Sequence, residues 1–182
     1  MKLLLSVFLS LFALPAIAAP IQFNIIPAES SIRFEAKQGT GPIKGQFQNF
    51  SADISFSPDD LAASKVSVVV DTGSIIIDDA DAQGMITKDE WLNPTAFPNA
   101  TFATESFTSL GDKKYSASGK LTMKGITLPV VLNFTLDEYS ADAAKITGEA
   151  TLKRRDFKIG WDDVASVNDV VKVLVSLKVM AK

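Results

Sequence analysis

The chain has 182 residues, with 18 Lys and Arg against 21 Asp and Glu, a net charge of −3, and neither histidine nor cysteine. Those two absences exclude a Ser-His-Asp triad, an imidazole base, a thiolate nucleophile, disulfides and the usual protein ligands of zinc, copper, haem and iron-sulfur clusters. A catalyst made from this chain would work through carboxylates, Lys or Tyr alone; no cofactor is implied, and a mildly acidic surface offers nucleic acid no basic face.

Residues 1–18 read as an address: Met1-Lys2 gives a positive start, Leu3 to Leu14 an apolar core, and Ala16-Ile17-Ala18 a small-residue cleavage site. The expected cut follows Ala18. The apolar run is short for a spanning helix and no Cys follows it, so the expectation is an exported domain over residues 19–182, with neither transmembrane anchor nor lipid. Export without cysteine fits a bacterial periplasm better than a eukaryotic secretory route. Cleavage removes only Lys2 among the charged residues, leaving 164 residues with a net charge of −4. That is one ordinary domain, able to bury roughly 70% of its unfolded surface.

From Ser31 onwards, apolar and polar residues alternate at a period of two, which predicts strands over 31–37, 43–56 with a kink near Asn49, 65–71, 100–108, 114–124, 128–137, 145–154 and 170–181. Gly39-Thr40-Gly41-Pro42, Ser57-Pro58-Asp59-Asp60, Gly111-Asp112 and Lys124-Gly125-Ile126-Thr127 supply turn chemistry between them. Short connections predict an antiparallel meander, and closure into an eight-stranded barrel would hide its edges. Residues 78–99 lose the alternation. They predict an acidic helix start and a short helix around 80–92, stopped by Pro94, lying over the barrel as a lid.

The apolar parity points Phe34, Ala36, Phe47, Ile54, Phe56, Val66, Val68, Val70, Phe102, Ala117, Gly119, Leu121, Met123, Val130, Leu132, Phe134, Ile146, Gly148, Ala150, Leu152, Val173, Val175 and Leu177 inward. Small residues recur in this set. Ala36, Ala117, Gly119, Gly148 and Ala150 remove volume from several strands, so they either open an apolar cavity or fit the taper and bulges of a filled barrel. A cavity lined by Phe, Leu and Val would hold a long apolar molecule, since each buried methylene contributes about 0.8 kcal/mol. The predicted lining adds Met85 from the lid segment and Arg154, which continues the inward parity with Asp156 and could meet a head group or pair with that carboxylate. Leu174, an exposed apolar position on the last strand, leaves room for a homodimer.

Several stretches stand in order: Ser31-Ile32-Arg33-Phe34, Gly45-Gln46-Phe47 with Asp53-Ile54-Ser55-Phe56, Val68-Val69-Val70-Asp71-Thr72-Gly73-Ser74-Ile75, Phe97-Pro98-Asn99-Ala100-Thr101-Phe102, Gly119-Lys120-Leu121-Thr122-Met123-Lys124-Gly125-Ile126-Thr127-Leu128-Pro129-Val130 and Arg154-Arg155-Asp156-Phe157-Lys158-Ile159-Gly160. From about Phe23 to Ala181 the chain resembles the YceI-like, polyisoprenoid-binding family. The resemblance implies a lipocalin-like all-β barrel with a short helix. It also implies a tunnel for isoprenoid quinones, polyprenyl chains or fatty amphiphiles, and no catalytic residues. Two departures lie in loops bordering the expected mouth: Trp91-Leu92-Asn93-Pro94-Thr95-Ala96 precedes the Phe-Pro motif, and Lys158 stands where many members carry Gly.

Two competing readings remain at this level. Asp79-x-Asp81-x-Gln83-Gly84-x-Ile86-x-x-x-Glu90 follows EF-hand loop spacing, which would make the chain a calcium-binding module, although acids at a helix start are favoured without any metal. A carboxylate- or Lys-based enzyme could act on an amphiphile inside the same cavity. Paired acids such as Asp59-Asp60 and Asp162-Asp163 read as solvated turns rather than a catalytic dyad.

Overall fold

The computed structural model of the chain describes residues 19–160 and 167–182; the predicted signal segment, Trp161 and Asp162-Asp163 lie outside them. Eleven strands form one sheet: β1 Ile21–Ile25, β2 Ser31–Gln38, β3 Gly41–Phe47, β4 Phe50–Phe56, β5 Lys65–Asp71, β6 Ile75–Ile77, β7 Asn99–Gly111, β8 Lys114–Met123, β9 Ile126–Tyr139, β10 Ala143–Lys153 and β11 Val170–Ala181. The predicted count of eight is recovered once the breaks are seen. β1 and β2 run in the same direction against β11, Phe23 opposite Ala181 and Phe34 opposite Val173, so they are two halves of one strand. β3 and β4 are likewise halves of a strand bent at Gln48 and Asn49, and β5 and β6 of a third, broken by a 3-10 turn at Thr72–Ser74.

Pairing in the order β1, β4, β5, β7, β8, β9, β10, β11 and back to β1 closes a ring of eight antiparallel strands, leaving this end of the sheet without an edge. The other end is split. There β2, β3 and β6 continue the wall from β11, but among the described residues β6 finds no strand partner beyond β3. Residues 78–98 bridge that seam to the β8–β9 hairpin.

The bridging segment begins with helix α1, Ala80–Ile86, whose first turn is capped by the Asp79 carboxylate accepting from the Ala82 N–H at 2.9 Å. The helix ends at Ile86 rather than near residue 92, because residues 87–98 form successive turns. Gln83 ties the helix to the free strand: its Oε1 accepts from Ile77 N–H at 2.7 Å and its Nε2 donates to the Ile75 carbonyl at 3.2 Å. Further along, the Thr72 hydroxyl donates to the Phe97 carbonyl at 2.6 Å. Lys124, at the tip of the β8–β9 hairpin, donates from Nζ to the carbonyls of Asp89 (2.7 Å) and Lys158 (3.0 Å). Lys124 and Gly125 both have positive φ, +50° and +74°, as a tight two-residue hairpin turn requires.

The apolar interior forms two clusters. One, at the closed end, is centred on Phe23 (1% exposed), Ile54, Phe56, Tyr115, Phe134 and Leu177. The other, under the lid, gathers Ile43, Ile75, Ile77, Ala82, Ile86, Leu92, Phe157, Ile159 and Val167. Ala82 and Ile86 lie four apart on one face of α1, which is how a seven-residue helix closes this second cluster.

Candidate functional site: a two-chambered apolar tunnel

Two cavities lie along the barrel interior. The larger, about 210 Å³, fills the closed end and is lined by residues of the ring strands; we call it the barrel chamber. The smaller, about 130 Å³, lies beneath α1 and residues 87–92 and is the lid chamber. Phe47, Met123, Leu152 and Val173 line both, so these four residues form a neck between them.

The barrel chamber is a dry space. Among its lining residues only Thr104 carries a polar side-chain oxygen, and that hydroxyl is turned back onto Val66, accepting from its N–H at 2.9 Å and donating to its carbonyl at 3.2 Å. Its far end is stopped by aromatic side chains. Phe56 meets Phe107, Tyr115, Phe134 and Tyr139 edge-on, with centroids 5.5–6.4 Å apart, while Tyr115 stacks on Phe134 at 5.3 Å. Burial and then the neighbouring Asp59 carboxylate push the Tyr139 phenol above its ordinary pKa, so this plug is uncharged.

Sixteen of the seventeen predicted lining residues border the tunnel. Phe34, Ala36, Met85 and Arg154 line the lid chamber; Ile54, Phe56, Val68, Phe102, Ala117, Leu121, Leu132, Phe134, Ile146 and Ala150 line the barrel chamber; Phe47 and Leu152 line both. Gly119 is the exception. A Cβ there would fall on the carbonyl oxygen of Ala103 and come within 2.9 Å of the Phe102 ring, so this glycine allows β7 to approach rather than opening space. Gly148 behaves the same way, against Asn133 O and Phe134 Cβ. Of the small residues, then, Ala36, Ala117 and Ala150 widen the tunnel and the two glycines serve packing.

Parity along β10 fails at its end. Residues Arg154–Phe157 form a 3-10 turn, which leaves Asp156 exposed instead of inward and beside no head-group pocket. Arg154 is 4% exposed and its guanidinium is spent on main-chain carbonyls: Nε on Asn168 (3.1 Å), Nη1 on Ile159 (2.7 Å) and Gly160, and Nη2 on Val167 (2.6 Å). Its charged plane also lies 5.3 Å from the Trp91 ring centre. This buries the middle of the basic run Lys153-Arg154-Arg155. The next residue but three, Lys158, has φ +54°, which explains why a Gly suits that position.

The EF-hand spacing does not build an EF-hand loop. Strand β6 occupies the place of an entering helix, and the would-be ligand positions are wound into α1, with Asp79 used as its cap and Gln83 as its tether. Among the described residues, no acid or lysine borders either chamber. Leu174 is half-buried, flanked across the sheet by Glu149 and Arg33, while Val170 and Met180 are the exposed apolar residues of β11.

Sequence reasoning missed most of the lid chamber: Gln38, Ile43, Ile75, Ile77, Ala82, Ile86, Trp91, Leu92, Ile159, Val167 and Val171. The run Ile75-Ile76-Ile77 and the i, i+4 pair Ala82 and Ile86 were the signals available. Phe107 was hidden for another reason, since a bulge between Thr104 and Ser106 flips the parity of β7.

A closed antiparallel barrel around an apolar tunnel, capped by one short helix, defines an enclosing barrel of lipocalin-like form. The chain belongs to the YceI-like domain family, whose model matches residues 23–179. It is 33% identical over 138 residues to a UPF0312 protein of Vibrio vulnificus, covering 72% of this chain and 73% of that one. A UPF0312 protein of Shewanella oneidensis is 32% identical over 160 residues, covering 84% of each. Among solved structures, Burkholderia cenocepacia BcnA superimposes with a TM-score of 0.79 at 27% identity, over 85% of this chain and 98% of that one. A polyisoprenoid binding domain from Saccharophagus degradans shares the fold, with a TM-score of 0.70 at 14% identity over 89% and 99%. No helix among the described residues is long and apolar enough to cross a membrane.

Proposed function

We propose that the protein binds an isoprenoid or other lipid-like amphiphile in its tunnel and carries or stores it in the periplasm, without chemically changing it. The observation that carries this reading is the pair of adjacent apolar chambers that share Phe47, Met123, Leu152 and Val173 in their walls, a lining suited to an apolar chain and poor for a polar solute. Family membership supports it, as does the fold shared with a domain described as polyisoprenoid-binding. The predicted export segment supports the periplasm.

The ligand's orientation follows from where polarity lies. The barrel chamber offers no free polar group, so the tail threads through the neck towards the aromatic plug and the head stays under the lid. Native mass spectrometry of protein purified from its own host should find an apolar adduct of defined mass. An empty barrel that also takes up no hydrophobic probe would overturn the proposal.

A further inference from the structure

Among the described residues, three that line the lid chamber carry a side-chain nitrogen or oxygen: Gln38, Trp91 and Arg154. Arg154 would be the natural partner of an anionic head, but four of its hydrogen bonds already go to the main-chain carbonyls of Asn168, Ile159, Gly160 and Val167. Turning it towards a ligand would leave those carbonyls buried and unmet, each at the cost of desolvating it for nothing. Among the described residues, no lysine lines either chamber. Gln38 is different. It ends β2, held by its main chain opposite Gly41 and Val167; the residue is half-buried and lines the chamber, and its amide makes no hydrogen bond among the described residues. The Trp91 indole N–H likewise has none.

Resting on the tunnel reading, the geometry points to Gln38 as the residue that sets head-group specificity: its amide anchors an uncharged head bearing a carbonyl or hydroxyl oxygen, and the chamber discriminates against a phosphorylated head. An amide donates to a carbonyl and both donates to and accepts from a hydroxyl, and the indole can only donate, so an oxygen acceptor suits both. A phosphate under the lid would give up its water with no unspent cation among the described residues of the chamber walls to replace it.

The test compares three probes with one tail on the mature protein: geranylgeraniol, geranylgeranyl phosphate and the corresponding headless hydrocarbon, each read by displacement of a hydrophobic fluorophore. The alcohol is expected to bind about tenfold or more tightly than the phosphate. Gln38→Leu should weaken the alcohol about fivefold, the weight of one neutral hydrogen bond. Hydrocarbon binding together with a phosphate that equals or exceeds the alcohol, or an alcohol affinity unmoved by Gln38→Leu, overturns the assignment and leaves the tunnel reading standing. If none of the three binds, both fall.

Discussion

Replacing Arg154 by Met would strand the carbonyls of Asn168, Ile159, Gly160 and Val167 around an apolar side chain. The expected loss is about 3 kcal/mol, measured by urea unfolding, because buried acceptors left without donors forfeit their hydration. Packing also separates two residues that parity treats alike. Ala150→Phe should block the barrel chamber and abolish probe uptake with little change in Tm, since its side chain enters open space. Gly119→Leu should instead cost about 3 kcal/mol or prevent folding, because the new side chain meets the Ala103 carbonyl. The alternation marks both residues as inward; it does not reveal that one faces a void and the other a neighbouring strand. Arg154 was legible as inward but not as spent, because the carbonyls of Ile159, Gly160, Val167 and Asn168 that it meets lie in stretches that no periodicity organises.

Among the elements, the lid is held by side chains reaching to main chain rather than by strand pairing. Gln83→Leu removes both bonds from α1 to β6. Faster hydrogen exchange at the Ile77 amide is expected, with the ring strands unaffected; unchanged exchange there would mean that packing alone holds the helix. At the other end of the tunnel wall, Asp169 joins the start of β11 to the turn after β10, accepting from the Arg155 N–H at 3.1 Å and pairing with its guanidinium at 3.2 Å. Burial opposes ionisation of Asp169, but those hydrogen bonds and the charges of Arg155 and Arg154 outweigh it and hold the carboxyl below its usual value. A carboxylate lowered in the folded state stabilises above its unfolded pKa, about 3.9, and that contribution fades as pH falls through the folded value. The Tm difference between wild type and Asp169→Asn should therefore be present at neutral pH and shrink below about pH 4. The long strands announced themselves through alternation. β1 did not, as five residues behind the predicted export segment give a short pattern, and β6 did not, because Ile75-Ile76-Ile77 has no polar side to alternate with.

At the scale of the whole molecule, the fold divides its labour between a closed ring and a split rim. The ring buries the apolar faces of eight strands without an edge, while the rim sacrifices pairing at β6 to make room for a side-chain-tethered lid. Closure was legible from eight alternating segments joined by short turns. The division into two chambers was not, since it depends on where three strands break, and on Gly39, Asn49 and Thr72–Ser74 only as local turns. The neck gives the barrel a clock as well as a shape. A tail lodged beyond Phe47, Met123, Leu152 and Val173 can leave only when these side chains step aside, so residence time is governed separately from affinity. Trimming the unbranched gate by Met123→Ala should speed release and uptake together by about tenfold while moving the equilibrium constant far less, as stopped-flow exchange of a prenyl probe would show. A binding barrel built this way would have its exchange rate set by the neck rather than by the chambers.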